Sequence, residues 1–142
     1  MFGPLFRTFG AMMSNAVGGN MDLDVLFARI VEEMPGYIAA AAGSLKPGGK
    51  FYSHSSGNLD LADTQDRILK LMQNYVGIYE DLGGAIDFGS NDEILITASH
   101  VYLLIKIDHN SQRFIAVLLS SNGNIGYLRF RIRNYLRHVP ES

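Results

Sequence analysis

Cysteine is absent from this chain of 142 residues, and that one gap excludes disulfides, thiolate metal sites and cysteine nucleophiles together. It leaves the compartment open, with a reducing cytoplasm as the default. Charge of either sign is hardly in excess: 12 basic against 14 acidic residues give −2. Such a balance exerts no global pull towards nucleic acid or anionic lipid. No uncharged run reaches the roughly 18 residues that a membrane-spanning helix needs; the longest apolar stretch is interrupted at Lys106 and by the turn after it. Repeats and low-complexity tracts are missing, apart from a short alanine run. What is present, 47% hydrophobic and 18% charged residues, is the composition of a folded, soluble domain. A chain of this length buries roughly two-thirds of the surface it exposes when unfolded.

Three apolar runs organise the sequence: Glu93 to Ser99, Val101 to Ile107 and Arg113 to Leu119. Each is of strand length and rich in β-branched or aromatic residues, and Asp108 to Ser111 supplies turn chemistry between the last two. Short connections make them an antiparallel meander. Alternation puts Val101, Leu103, Ile105 and Ile107 on one face and Tyr102 and Leu104 on the other. Both faces are apolar, which predicts a sheet covered on both sides.

Ahead of the meander, Met1 to Asn20 form an N-terminal extension, and residues 21–142 form the domain proper. Phe2, Leu5, Phe6, Phe9, Met12 and Met13 fall at helical spacing with Pro4 near the front. A signal peptide, a membrane-surface helix and a helix docked on its own domain or a neighbouring protomer are the three readings. The first lacks a small-residue cleavage pattern and the second a basic face, so docking is preferred. Gly18-Gly19-Asn20 then reads as a flexible joint. Asp22 is placed to cap a first helix carrying Leu23, Leu26, Phe27, Ile30 and Met34 on one stripe. Pro35-Gly36 stops it. Tyr37 to Gly43, seven residues between breakers, reads as a strand whose alanines let helices approach both faces. Lys50 to Ser55 pairs back as a more polar edge strand.

Asp60 is placed to cap a long helix running to about Leu82. Ile68, Leu71, Tyr75, Ile78 and Leu82 make one apolar stripe; Leu69, Met72, Val76 and Tyr79 make a second beside it. Together they exceed the roughly 100° that packing on one sheet requires. Either the helix is deeply sunk, or one flank meets a partner subunit. The strand from Glu93 favours the partner, because it opens the meander at a sheet edge without the lysine or proline that usually blunts one. Pairing that edge with its own copy across a two-fold axis removes the liability and predicts a homodimer.

The last helix begins at Asn122-Gly123-Asn124 and buries Ile125, Leu128, Ile132, Tyr135, Leu136 and Val139. Arg129, Arg133 and Arg137 line one flank at four-residue spacing with Phe130 near them, and the helix has no acid. The ridge is either a solvated face whose late arginines suit the helix C-terminus, or a secondary basic docking surface with one aromatic anchor. Nucleic acid is a third option that one short ridge on an acidic chain supports poorly.

Signals for catalysis are sparse. Gly48-Gly49 and Gly83-Gly84 lack the lysine and serine or threonine of a phosphate-binding loop, so the chain is not itself expected to be a GTPase. His54, His100, His109 and His138 have no metal-ligand spacing and read as surface residues. Ser53, Ser55 and Ser56 surround His54 without a nucleophile elbow or an acid partner. Asp92-Glu93 and Glu32-Glu33 are neighbours that point apart. No enzyme activity, metal or cofactor is expected.

The order helix, strand, strand, long helix, three strands, helix, from Asp22 to Val139, resembles the Roadblock / dynein light chain family. Glu33 to Ala41, where the first helix breaks into the first strand, carries the resemblance together with the hairpin at Pro47 to Gly49. The tail from Phe114 to Arg129 looks like that family's last strand entering its last helix. The resemblance implies an α/β sandwich with a five-stranded antiparallel sheet in profilin-like layering, one long helix on one face and two on the other. It further implies dimers joined through their third strands, with the middle helices side by side. Here that interface comprises Ile68, Leu71, Tyr75, Ile78, Tyr79, Ile94, Leu95 and Ile96. Family members are implied to be non-enzymatic platforms that bind or regulate small Ras-like GTPases, or adaptors in larger complexes. In the bacterial MglB-like type a GTPase sits across the paired middle helices, and its hydrolysis is promoted by rearranging the GTPase itself. Carried to this sequence, the docking residues are Arg67, Lys70, Gln73, Asn74 and Gly77. The extension and the arginine ridge depart from the family pattern. A structural or adaptor oligomer and a small-ligand-sensing module are the alternatives.

Overall fold

The apolar runs become the centre of a five-stranded antiparallel sheet in a computed structural model that describes residues 19–46, 48–57, 61–83 and 91–140. In chain order the elements are α1 (Gly19–Glu33), β1 (Tyr37–Ser44), β2 (Phe51–Ser55), α2 (Leu61–Gly83), β3 (Asn91–Thr97), β4 (Val101–Asp108), β5 (Arg113–Ser120) and α3 (Ile125–Arg137). Across the sheet the strands run β2-β1-β5-β4-β3. The polar strand β2 and the bare strand β3 are therefore the two edges, as expected.

Two-residue alternation sorts the core into two layers. On one face Ala40, Ala42, Leu104, Ile115, Val117 and Leu119 meet the stripes of α1 and α3. On the other, Ala41, Ile105, Ile107, Phe114 and Ala116 surround Met72 of α2. Leu104 and Ile105 thus serve opposite layers, which is why the meander is apolar on both sides. The alanines of β1 contribute to both layers, and their small side chains let the covering helices come close. Phe51 and Phe114 meet edge to face at 5.3 Å beneath the α2 layer.

Helix α1 starts earlier than its sequence suggests. Gly19 and Asn20 are already helical, so they are not a joint, and Asp22 lies in the first turn rather than at the cap. Packing of the stripe from Leu23 to Met34 supplies most of the helix stability, so the helix runs on past a weak-propensity glycine. The expectations for residues 1–18 and for the Asp60 cap lie outside the described residues.

Two remote connections lock against each other. Gly36, which leads α1 into β1, has φ +84°, a conformation that a Cβ disfavours. Its carbonyl accepts from the Ser120 N–H at 2.7 Å. A Cβ on Gly36 would sit 3.0 Å from the Gly123 Cα, and one on Gly123 would sit 2.9 Å from the Pro35 carbonyl oxygen. The Asn124 side chain then caps α3 by accepting from the Tyr127 N–H at 2.9 Å. At the far end of α3, Arg113 donates to the Val139 carbonyl at 2.7 Å and so holds the helix exit against the β4–β5 hairpin.

Candidate protein-docking faces

Helix α2 sits on its sheet along a line that passes through Met72, which is fully buried. Ile68, Leu71 and Tyr75 flank that line and are half-buried against the same cluster. Further along the stripe, Ile78 and Leu82 are 56% and 45% exposed. The helix is therefore not sunk along its whole length, and its apolar surface runs on beyond what its own sheet covers. The Tyr79 side chain lies outside the described residues.

The β3 edge adds to this surface. Ile94, Leu95 and Ile96 pair with Ile105, Leu104 and Leu103 of β4. By that register Ile94 and Ile96 share the α2 face of the sheet, whereas Leu95 lies on the α1/α3 face. Leu95 and Ile96 are among the exposed large hydrophobics, and Ile94 packs against the Met72 cluster. Among the described residues β3 pairs only with β4, which leaves its outer backbone groups open to another strand. The expected interface residues thus divide between α2 and both sides of one sheet edge.

Arg67, Lys70, Gln73 and Asn74 are exposed and Gly77 is half-exposed. Helical spacing gathers them on the side of α2 away from Met72. A Cβ on Gly77 would meet nothing within 4 Å, so the backbone there is an open notch on the helix surface.

The arginine ridge is less uniform than its spacing suggests. Arg129 is spent on Glu93 of β3, whereas Arg133 and Arg137 are exposed. Phe130 is 77% exposed and stacks on Tyr127 with ring centres 6.5 Å apart. Arg131, which the ridge pattern omits, donates to Glu33 at 3.0 Å and lies over the Tyr135 ring. The Tyr135 hydroxyl donates to the same Glu33 oxygen at 2.6 Å. Burial, followed by the bond to Glu33, raises the Tyr135 pKa, which keeps that donor protonated.

Two of the histidines are not surface residues. His54 shares the α1 side of β2 with Tyr52, and its ring lies there nearly parallel to Phe27 at 6.1 Å. The Tyr37 hydroxyl is 2.8 Å from its Nδ1, and burial pushes its pKa down. His109 Nε2 is 2.6 Å from Asp92 Oδ2, and its ring lies beside Tyr75 of α2. Period-two alternation was the available signal for His54; the Asp92–His109 contact joins residues 17 apart and has no local signature. Among the described residues no three His, Asp or Glu side chains are grouped as a metal site. A cleft of about 270 Å³ is lined by Val25, Leu26, Arg29 and His138. It lies outside the sheet–helix layers in which a ligand-sensing module would hold its ligand.

No family model matches the sequence, and no curated protein matches it. Solved structures do. A Roadblock/LC7 domain from Streptomyces avermitilis superposes with a TM-score of 0.62 at 17% identity, over 80% of this chain and 91% of that one. This chain has the Roadblock/LC7 fold. MglC from Myxococcus xanthus gives a TM-score of 0.51 at 18% identity, over 83% of this chain and 96% of that one. The Roadblock layering of one long helix opposite two outer helices is the arrangement that leaves α2 and the β3 edge uncovered here. No described helix is long and apolar enough to cross a membrane.

Proposed function

We propose that this protein is a homodimeric Roadblock-type scaffold that binds and regulates a small Ras-like GTPase, without catalytic chemistry of its own. The observation that carries the dimer is the pairing of an unblunted β3 edge with an α2 stripe still exposed at Ile78 and Leu82. A two-fold axis beside β3 joins identical strands antiparallel and covers both features at once. The GTPase is supported by the family resemblance, and the docking residues Arg67, Lys70, Gln73, Asn74 and Gly77 face away from the sheet on the same helix. The MglB-like mode of action and a cytoplasmic location belong to the same reading.

Two measurements test it. Light scattering on the purified protein should give twice the chain mass, and Ile78→Glu or Leu95→Lys should return it to the single-chain mass by placing a charge in an apolar contact. A variant that keeps the wild-type mass and stability would sink the interface. Native extract passed over immobilised protein, with and without a non-hydrolysable GTP analogue, should retain a Ras-like GTPase only with the analogue. Its absence, with a dimer intact, would move the function to a structural or adaptor oligomer.

A further inference from the structure

We propose that the outward face of α3, formed by Tyr127, Phe130, Arg133 and Arg137, docks an acidic protein segment that carries an apolar side chain. The face is independent of the α2 surface, because α3 covers the opposite side of the sheet.

Leu128, Ile132, Tyr135 and Leu136 turn inward and are buried. Helical spacing then sends Phe130 to the middle of the opposite side, with Arg133 and Arg137 one and two turns on and Tyr127 one turn back. Single exposed apolar residues are ordinary on protein surfaces. Phe130 differs in that it stands 77% exposed, stacked on a second exposed ring, beside two arginines. Those rings offer a rigid apolar platform that gives up little conformational entropy on binding.

Charge decides the class of partner. Helix α3 contains four arginines and no carboxylate. Arg129 and Arg131 are neutralised by Glu93 and Glu33, whereas Arg133 and the Arg137 guanidinium make no ion pair among the described residues. Within α3 the uncompensated positive charge is thus confined to one narrow face, on a chain whose overall charge is −2. A bilayer or a nucleic acid presents negative charge over a wide area, towards which a chain of net charge −2 adds no global pull. A short acidic segment meets only the local field. Arginine forks recognise carboxylates in pairs, and an apolar side chain between those carboxylates would rest on Tyr127 and Phe130. The chain's own first 18 residues contain Arg7 and no acid, so they do not complement this face.

The test is an unbiased one. A phage-displayed random peptide library is selected on the immobilised full-length protein, with phosphatidylserine vesicles and random-sequence single-stranded DNA assayed in parallel. Enriched peptides should place Asp or Glu around an aromatic or aliphatic residue. Their affinity should drop about tenfold or more in both Phe130→Ser and Arg133→Glu, and should weaken with added salt. Both substituted side chains are exposed, so the thermal midpoint should stay at the wild-type value; a variant that shifts it is replaced by Arg137→Glu. Enriched peptides without carboxylates, no Phe130-dependent enrichment, or tighter retention on vesicles or DNA would each overturn the proposal. So would a change in the protein's own solution mass in Phe130→Ser, which would assign the face to a second copy.

Discussion

The two faces of this sheet are finished to different degrees. On the α1/α3 face, Leu23, Ile30, Ile115, Leu128, Ile132 and Tyr135 are essentially inaccessible, and Glu33 ties the two helices together through Arg131 and Tyr135. On the α2 face one helix has to cover the same strands, Met72 is the deepest of its described side chains, and Ile78, Leu82 and Ile96 stay open to solvent. Leu95 at the β3 edge apart, the side under α1 and α3 is thus satisfied within the chain, whereas the α2 side leaves apolar surface that its own helix does not cover. Apolar surface left open in this way is what the proposed dimer would cover.

The contrast can be pressed with substitutions, taken in order of their expected effect on the single chain. Ile132→Ala, on the finished face, should cost about 2–5 kcal/mol in denaturant unfolding. Ile78→Ala, on the open face, should cost less than about 0.5 kcal/mol in a monomer. A cost for Ile78→Ala that grows with protein concentration would show that a second copy covers it, and equal costs for the two would erase the contrast. Glu33→Ala should follow Ile132→Ala, at about 1–3 kcal/mol, because it leaves two part-buried donors without their acceptor. Glu33→Gln should recover part of that loss.

Gly77→Ala should move the other way. An alanine within an exposed helix face gains about 0.5–1 kcal/mol over glycine, and the site is sterically open. If the polar side of α2 receives a partner, that gain should come with weaker retention of the GTPase in the pull-down. The smallest effect is one of pH. Burial lowers the His54 pKa from its ordinary 6.5, so the unfolded chain takes up the proton first. The stability this neutral ring contributes is complete above 6.5 and is lost as pH falls below it. His54→Gln should therefore flatten part of the decline in unfolding free energy between about pH 7.5 and about pH 5.5. A wild-type slope that the variant reproduces unchanged would assign the decline elsewhere.

Most of the fold was legible because its signals are local. The β4 alternation of Leu103, Leu104 and Ile105 states both core layers, and the breakers Pro35 and Gly36 isolate β1 in spite of its helix-favouring alanines. The start of α3 follows from the change to a period of 3.6 after Asn122-Gly123-Asn124, within which the structure makes Asn124 the cap. What escaped is cross-element. Helix spacing groups Arg129 with Arg133 and Arg137, but Glu93 on a distant strand removes it from that set. Arg131, outside the ridge pattern, is the arginine that joins α3 to α1. His54 and His109 look like solvent-facing residues until Tyr37 and Asp92 are brought beside them. The early start of α1 was hidden because Gly18-Gly19-Asn20 has the composition of a joint, and only the packing of the following stripe overrides it. For the docking faces, the width of the α2 stripe could be read directly from spacing. Its division into a covered half and an open half required the sheet.

The back-to-back contact of Gly36 and Gly123 bears on how such a chain can change its length. The connection into β1 and the connection out of β5 share one small volume, so a residue added to or removed from either must displace the other. Insertions and deletions are thereby excluded from both at once, and the two halves of the chain keep a common frame. Gly48 differs from Gly36 only in space: a side chain there would meet nothing within 4 Å, but its φ of +73° still favours glycine.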